Sequence, residues 1–197
     1  MRRYQKVNNI NELKMLLLSM MLGVFSFIVM QISIPIIPGA SFLKLDCSDI
    51  IIMISFFVFN PIVGSTVAIV RGILCLIIGG FNLIALLGQI AALVASLCYI
   101  FPIYFWSKNK MYMLKYKIIG ILLGTCGLTI SMSIINYYVL LPLYMQLVNF
   151  KINDLMAYIL FLIAPFNLIK GIINGILFLI LSNKIIPTLQ KFIEKNC

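Results

Sequence analysis

Apolar runs of about 20 residues recur along nearly the whole chain, and each is long enough to cross a hydrocarbon core about 30 Å thick. Composition agrees: 63% of the residues are hydrophobic and 10% are charged, whereas a soluble domain is roughly half apolar. The first run, Leu13 to Ile34, leads into a polar loop rather than a small-residue cleavage site, so it is expected to remain as a membrane helix and not to be a signal peptide.

The runs predict an all-α membrane protein, with residues 1–197 forming a single integral membrane domain. Its six transmembrane helices are placed roughly at 12–34, 49–60, 61–79, 83–106, 117–145 and 155–186. Asn60-Pro61 separates the second from the third, because the residue before a proline is biased away from helical geometry. Basic residues orient the spans. Arg2, Arg3, Lys6, Lys14, Lys108, Lys110, Lys115, Lys117, Lys184, Lys191 and Lys195 fall on the N-terminal side, and only Lys44 and Lys151 fall opposite. Eleven against two places both termini in the cytoplasm, and fusing the second and third spans would turn the Lys108–Lys117 cluster outward. Trp106, Tyr104, Tyr112 and Tyr116 flank that cluster as interfacial anchors.

The same residues narrow the function. A formal charge of +10 gathered at helix ends marks membrane orientation and not a nucleic-acid surface. Histidine is absent, and Cys47, Cys75, Cys98, Cys126 and Cys197 form no C-x-x-C pair, so neither a metal site, a disulfide framework nor a histidine-based catalytic centre is expected. No phosphate loop of the G-x-x-x-x-G-K-[ST] type occurs, so the chain itself is not expected to hydrolyse ATP. No span carries an Asp or Glu near its centre, which disfavours a carboxylate proton relay.

Polar groups inside spans are costly unless they are paired or face a cavity, which makes them the informative positions. Asn167, Lys170 and Asn174 share one face of the sixth helix, just after Pro165. Thr125, Thr129, Ser133 and Asn136 make a second polar stripe in the fifth. Arg71 lies within the third span and needs a partner that the sequence does not name. The segment from Pro35 to Asp49 is expected to be a structured external loop folded back on the protein. Its Asp46, Ser48 and Asp49 are candidates to cap the second helix, and Lys44 is a surface charge or a ligand contact. Gly120-x-x-x-Gly124 and Gly171-x-x-x-Gly175 permit close helix packing, and Ser19-x-x-x-Gly23 offers a smooth stripe on the first helix.

Three stretches carry a resemblance. The loop Pro35-Ile-Ile-Pro-Gly-Ala-Ser-Phe-Leu-Lys-Leu-Asp46 with Ser48-Asp49, the run Asn136-Tyr-Tyr-Val-Leu-Leu-Pro-Leu-Tyr144, and Ala164-Pro-Phe-Asn-Leu-Ile-Lys-Gly171 resemble riboflavin-specific S components of energy-coupling-factor (ECF) transporters. The resemblance implies a non-enzymatic subunit in the plasma membrane of a prokaryote. It would capture riboflavin from outside and work with a transmembrane coupling protein and two cytoplasmic ATPases. It further implies that Asn136, Asn167 and Lys170 hydrogen-bond the vitamin, that Phe42 and Leu43 cover its ring, and that Lys44 lies close by. No catalytic residue, metal or resident cofactor is implied. Such S components commonly carry an Ala-x-x-x-Ala docking surface on the first helix, and Ser19-x-x-x-Gly23 would stand in its place. The alternatives are an S component for another vitamin or a flavin nucleotide, and a membrane protein outside transport.

Overall fold

A computed structural model of the chain describes residues 12–36, 43–110, 113–148 and 152–196. Phe42, Arg2, Arg3, Lys6, Tyr112, Lys151 and Cys197, all invoked above, lie outside them. Helix α1 (Glu12–Gln31) stops three residues short of its expected end and leads into strand β1 (Ile34–Pro35). This strand pairs antiparallel with β2 (Lys44–Leu45), with Ile34 opposite Leu45 and Pro35 opposite Lys44. After the hairpin come α2 (Ser48–Val58), α3 (Pro61–Gly79) and α4 (Leu83–Ser107). The asparagines before α3 and α4 cap them: Asn60 Oδ1 accepts from the Val63 amide at 2.9 Å, and Asn82 Oδ1 accepts from the Ala85 amide at 2.7 Å.

The last two helical bodies each contain one widened turn. Helix α5 (Leu114–Ile135) passes through a π turn at Asn136–Leu140 into α6 (Leu141–Val148). The short α7 (Leu155–Tyr158) passes through a π turn at Ile159–Ile163 into α8 (Ala164–Asn196). In each turn the amide of the closing residue reaches back five positions, Leu141 to the Asn136 carbonyl and Ala164 to the Ile159 carbonyl. The next residue is a proline in both cases, Pro142 and Pro165. Proline has no N–H to donate and its ring collides with the carbonyl four residues back, so widening the preceding turn relieves the clash.

Among the described residues, five segments are long and apolar enough to cross a membrane, and α2 is a shorter sixth. Eleven residues rise only about 16 Å, so α2 cannot span by itself. It is instead the centre of the bundle. All eleven of its residues are buried, as expected of a helix whose only polar residues are Ser48, Asp49 and Ser55. Phe57 of α2 stacks on Phe178 of α8, with ring centroids 5.4 Å apart. The all-α, six-helix membrane architecture expected from the sequence is the one observed.

Small residues set the close approaches around this centre. A Cβ on Gly124 of α5 would lie 2.5 Å from the Tyr99 carbonyl oxygen of α4, and one on Gly171 of α8 would lie 2.7 Å from Thr125 Oγ1 of α5. Two expectations are corrected here. Ser19 is 1% exposed, and a Cβ on Gly23 would come within 2.5 Å of Val70, so this small-residue stripe packs α1 onto α3 and is not an outward docking face. Lys117, counted with the charged loop, is also buried: its ammonium donates to Ser182 Oγ at 3.0 Å and Asn183 Oδ1 at 2.6 Å on α8.

Candidate functional site

The half-length of α2 creates the site. Its N-terminus ends level with the middle of α3, where Arg71 lies, and the hairpin that feeds it covers the space left above. The result is a cavity of about 500 Å³, in the range of small-molecule sites. Leu43, Lys44 and Asp46 line it from the hairpin side, and Asn136, Asn167 and Lys170 line it from the two helices that carry π turns. Five of the six residues named from the sequence therefore meet around one space. The walls also include the end of α1, through Gln31, and the end of α3, through Cys75 and Gly79, which the sequence reading did not assign to the pocket.

Both asparagines sit beside a π turn, which determines how their amides are used. Asn136 Nδ2 donates to the Met132 carbonyl at 2.7 Å, and Asn167 Nδ2 donates to the Ile163 carbonyl at 2.8 Å. Their side chains are thereby fixed against their own helices, and each Oδ1 has no hydrogen-bond partner among the described residues. Two acceptors thus belong to residues lining one chamber, an arrangement suited to hydroxyl or N–H donors on a ligand.

The opposing wall is α4. Ala85, Gly88, Ala92 and Ala95 recur at spacings of three and four and present a face of minimal side chains to the chamber. Gln89 interrupts this apolar wall, and its buried Oε1 has no partner among the described residues. None of these α4 residues was named from the sequence; the available signal was Gln89, the one amide side chain in the span.

The charges are also resolved. Arg71 meets Asp49 at 3.0 Å, Ser48 Oγ at 2.8 Å and, through its other terminal nitrogen, Ser96 Oγ at 2.9 Å. Ser96 Oγ donates to Asp49 Oδ1 at 2.5 Å. Asp49 is therefore the anion that Arg71 required and not a cap of α2. The capping role falls to Asp46, whose Oδ1 accepts from the Ser48 amide at 3.0 Å and from the Ser48 hydroxyl. The ammonium of Lys170 lies 3.3 Å from Asp46 Oδ2 and 3.5 Å from Asp49 Oδ2. Two carboxylates face two cations, so the cluster is neutral overall. Neutrality and dense hydrogen bonding are what allow four charges to be buried together.

Comparison with known proteins agrees with this arrangement. The family model described as "ECF transporter, substrate-specific component" matches residues 14–182. The riboflavin transporter RibU of Staphylococcus aureus (strain TCH60) is 34% identical over 185 residues, covering 93% of this chain and 96% of that protein. The riboflavin transporter FmnP of Bacillus subtilis (strain 168) is 31% identical over 183 residues, covering 91% and 96% respectively. A solved structure described under "Structure and mechanism of the S component of a bacterial ECF transporter" superposes with a TM-score of 0.74 at 33% identity, covering 91% of this chain and 99% of that one. The match over residues 14–182, together with relatives more than 30% identical along nine-tenths of the chain, shows that the chain belongs to the family of substrate-specific components of ECF transporters.

Proposed function

We propose that this protein is the riboflavin-binding subunit of an ATP-driven vitamin importer. The observation that carries the reading is the chamber itself. A side-chain-poor apolar wall on α4 faces Asn136, Asn167 and Lys170, matching a ligand that joins a flat tricyclic ring to a polyhydroxyl chain. The names of the relatives that match over more than nine-tenths of the chain point to the same vitamin. Asn136, Asn167 and Lys170 serve the polar edge and the ribityl chain, Phe42 and Leu43 cover the ring, and Lys44 stands at the rim. The chain performs no chemistry on its ligand.

Capture takes place on the outer side, with both termini in the cytoplasm of a prokaryotic cell. Inward delivery is assigned to a transmembrane coupling protein and two ATPases, as membership of the family implies, and it passes through a second state with weaker affinity, since a ligand held equally by both states shifts nothing. Riboflavin is favoured over its phosphate: Arg71 is committed to Asp49, Ser48 and Ser96, and Asp46 and Asp49 offset Lys170, so among the described residues a phosphate would find only Lys44 as an uncommitted cation lining the chamber.

Equilibrium titration of the detergent-purified chain with riboflavin, followed by quenching of flavin fluorescence, tests the reading. Saturable one-to-one quenching that FMN competes for only weakly is the expected result. Folded protein that leaves riboflavin fluorescence unchanged would overturn it.

A further inference from the structure

The four buried charges divide into two unequal pairs. Arg71 and Asp49 are held at 3.0 Å, with both side chains 3% exposed and with Ser48 and Ser96 bonded to the two terminal nitrogens of Arg71, whose buried Nε has no partner among the described residues. Lys170 and Asp46 are held more loosely, at 3.3 Å, and are 12% and 6% exposed on the wall of the chamber. Asp49 is already balanced by Arg71 and receives Lys170 only at 3.5 Å. An ammonium has three N–H groups; one here donates to Asp46, and Asp49 lies within ion-pair distance, which leaves donor capacity for a ligand in the chamber.

Asp46 also has a particular place in the chain. It follows β2 directly, and its Oδ1 holds the first turn of α2 through Ser48 while its Oδ2 reaches Lys170 on α8, 124 residues away in sequence. Leu43 and Lys44, just before it, line the chamber. One carboxylate therefore ties the covering strand to the residue named for ligand contact.

We infer that Asp46 is a positioning residue: the Asp46–Lys170 pair is an exchangeable tie that fastens strand β2 over the chamber and holds the Lys170 ammonium toward the ligand, while Arg71–Asp49 is the fixed anchor behind it. The inference rests on the riboflavin reading for the identity of the ligand, but not for the tie itself. Loss of the tie should act on escape of the ligand more than on folding, since the fixed pair keeps its partners. Charge-assisted hydrogen bonds are the stronger kind, so an increase of about tenfold in the dissociation rate is expected.

The test uses the full chain in detergent. Hydrogen–deuterium exchange over residues 43–49 is compared between the parent and Asp46→Asn without ligand, and riboflavin dissociation is then followed by recovery of flavin fluorescence. Faster exchange in this segment together with about tenfold faster release, both largely restored by Asp46→Glu, is the expected result. Lys170→Met breaks the same tie from the other side and should loosen the same segment, which keeps the test available if one variant does not fold. Unchanged exchange and unchanged release in Asp46→Asn would overturn the inference, as would a lowered melting temperature with release unaffected. If the parent does not bind riboflavin while Asp46→Asn still loosens residues 43–49, the vitamin assignment fails and the tie stands.

Discussion

The Arg71 guanidinium of α3 lies 3.0 Å from the Asp49 carboxylate of α2, and each side chain is 3% exposed. Removing one partner strands the other in a dry interior, at a cost of about 3–5 kcal/mol. Arg71→Met or Asp49→Asn alone should therefore sharply lower the thermal midpoint of the purified protein, read as the fraction remaining monodisperse after heating. The double variant should recover part of the loss. A loss in the double variant equal to the sum of the two single losses would show that the charges do not act as a pair.

Lys170 combines two duties, and substitution should separate them. Lys170→Ala is expected to weaken riboflavin binding by at least about tenfold, as loss of a charged hydrogen-bond donor does. It also leaves Asp46 without its cation. Lys170→Met combined with Asp46→Asn removes that imbalance, so its melting temperature should approach the parent value while affinity remains low. Parent-like affinity in Lys170→Ala would remove Lys170 from the site.

Gln89 provides a more selective probe. Its Oε1 is buried at the chamber without a partner among the described residues, so it is available to a donor on the ligand. Gln89→Leu should leave stability unchanged or slightly improved, since an unsatisfied acceptor is removed, while lowering riboflavin affinity by several-fold. Titration and melting on the same preparation distinguish this outcome from a general loss of fold.

Packing between α5 and α8 should tolerate little added volume at Gly171, where a Cβ would meet Thr125 Oγ1 at 2.7 Å. Gly171→Val is expected to destabilise the protein by about 1–3 kcal/mol, in the range of overpacked cores. Thr125→Ala combined with it should restore part of the loss. A melting temperature unchanged by Gly171→Val would mean that the two helices are not held at this distance.

Much of the architecture was legible because membrane-spanning segments are constrained by length and apolarity, and Asn60-Pro61 marks its turn plainly. Asn136, Asn167 and Lys170 stood out for the same reason, as polar residues in apolar runs. The partner of Arg71 did not. A full span presents its centre at mid-depth, but a half-length helix presents its end there, so Asp49 read as a loop residue or a cap although it lies opposite Arg71. Ser19 and Gly23 misled in the opposite direction. Spacing shows that two small residues share a helix face but not which neighbour that face meets, and here it is Val70 of α3. The residues of the α4 wall could not be singled out, because alanine and glycine in a span carry no signal until a cavity forms beside them.

The two π turns give the number of residues in these helices a meaning of its own. Each holds one residue more than an α-helical turn would, and each α-helical residue advances the chain by about 100°. The wider turn absorbs its extra residue, so the segments before and after it keep the phase of a regular helix. Deleting one residue from 136–140 or from 159–163 would therefore leave the flanking faces nearly in phase, but it would close a regular turn onto Pro142 or Pro165 and bring the proline ring back against a carbonyl. A deletion elsewhere in either helix, with no wide turn to absorb it, would rotate everything beyond it by about 100°. The two wide turns thus let each helix carry a proline without losing the alignment of its polar residues.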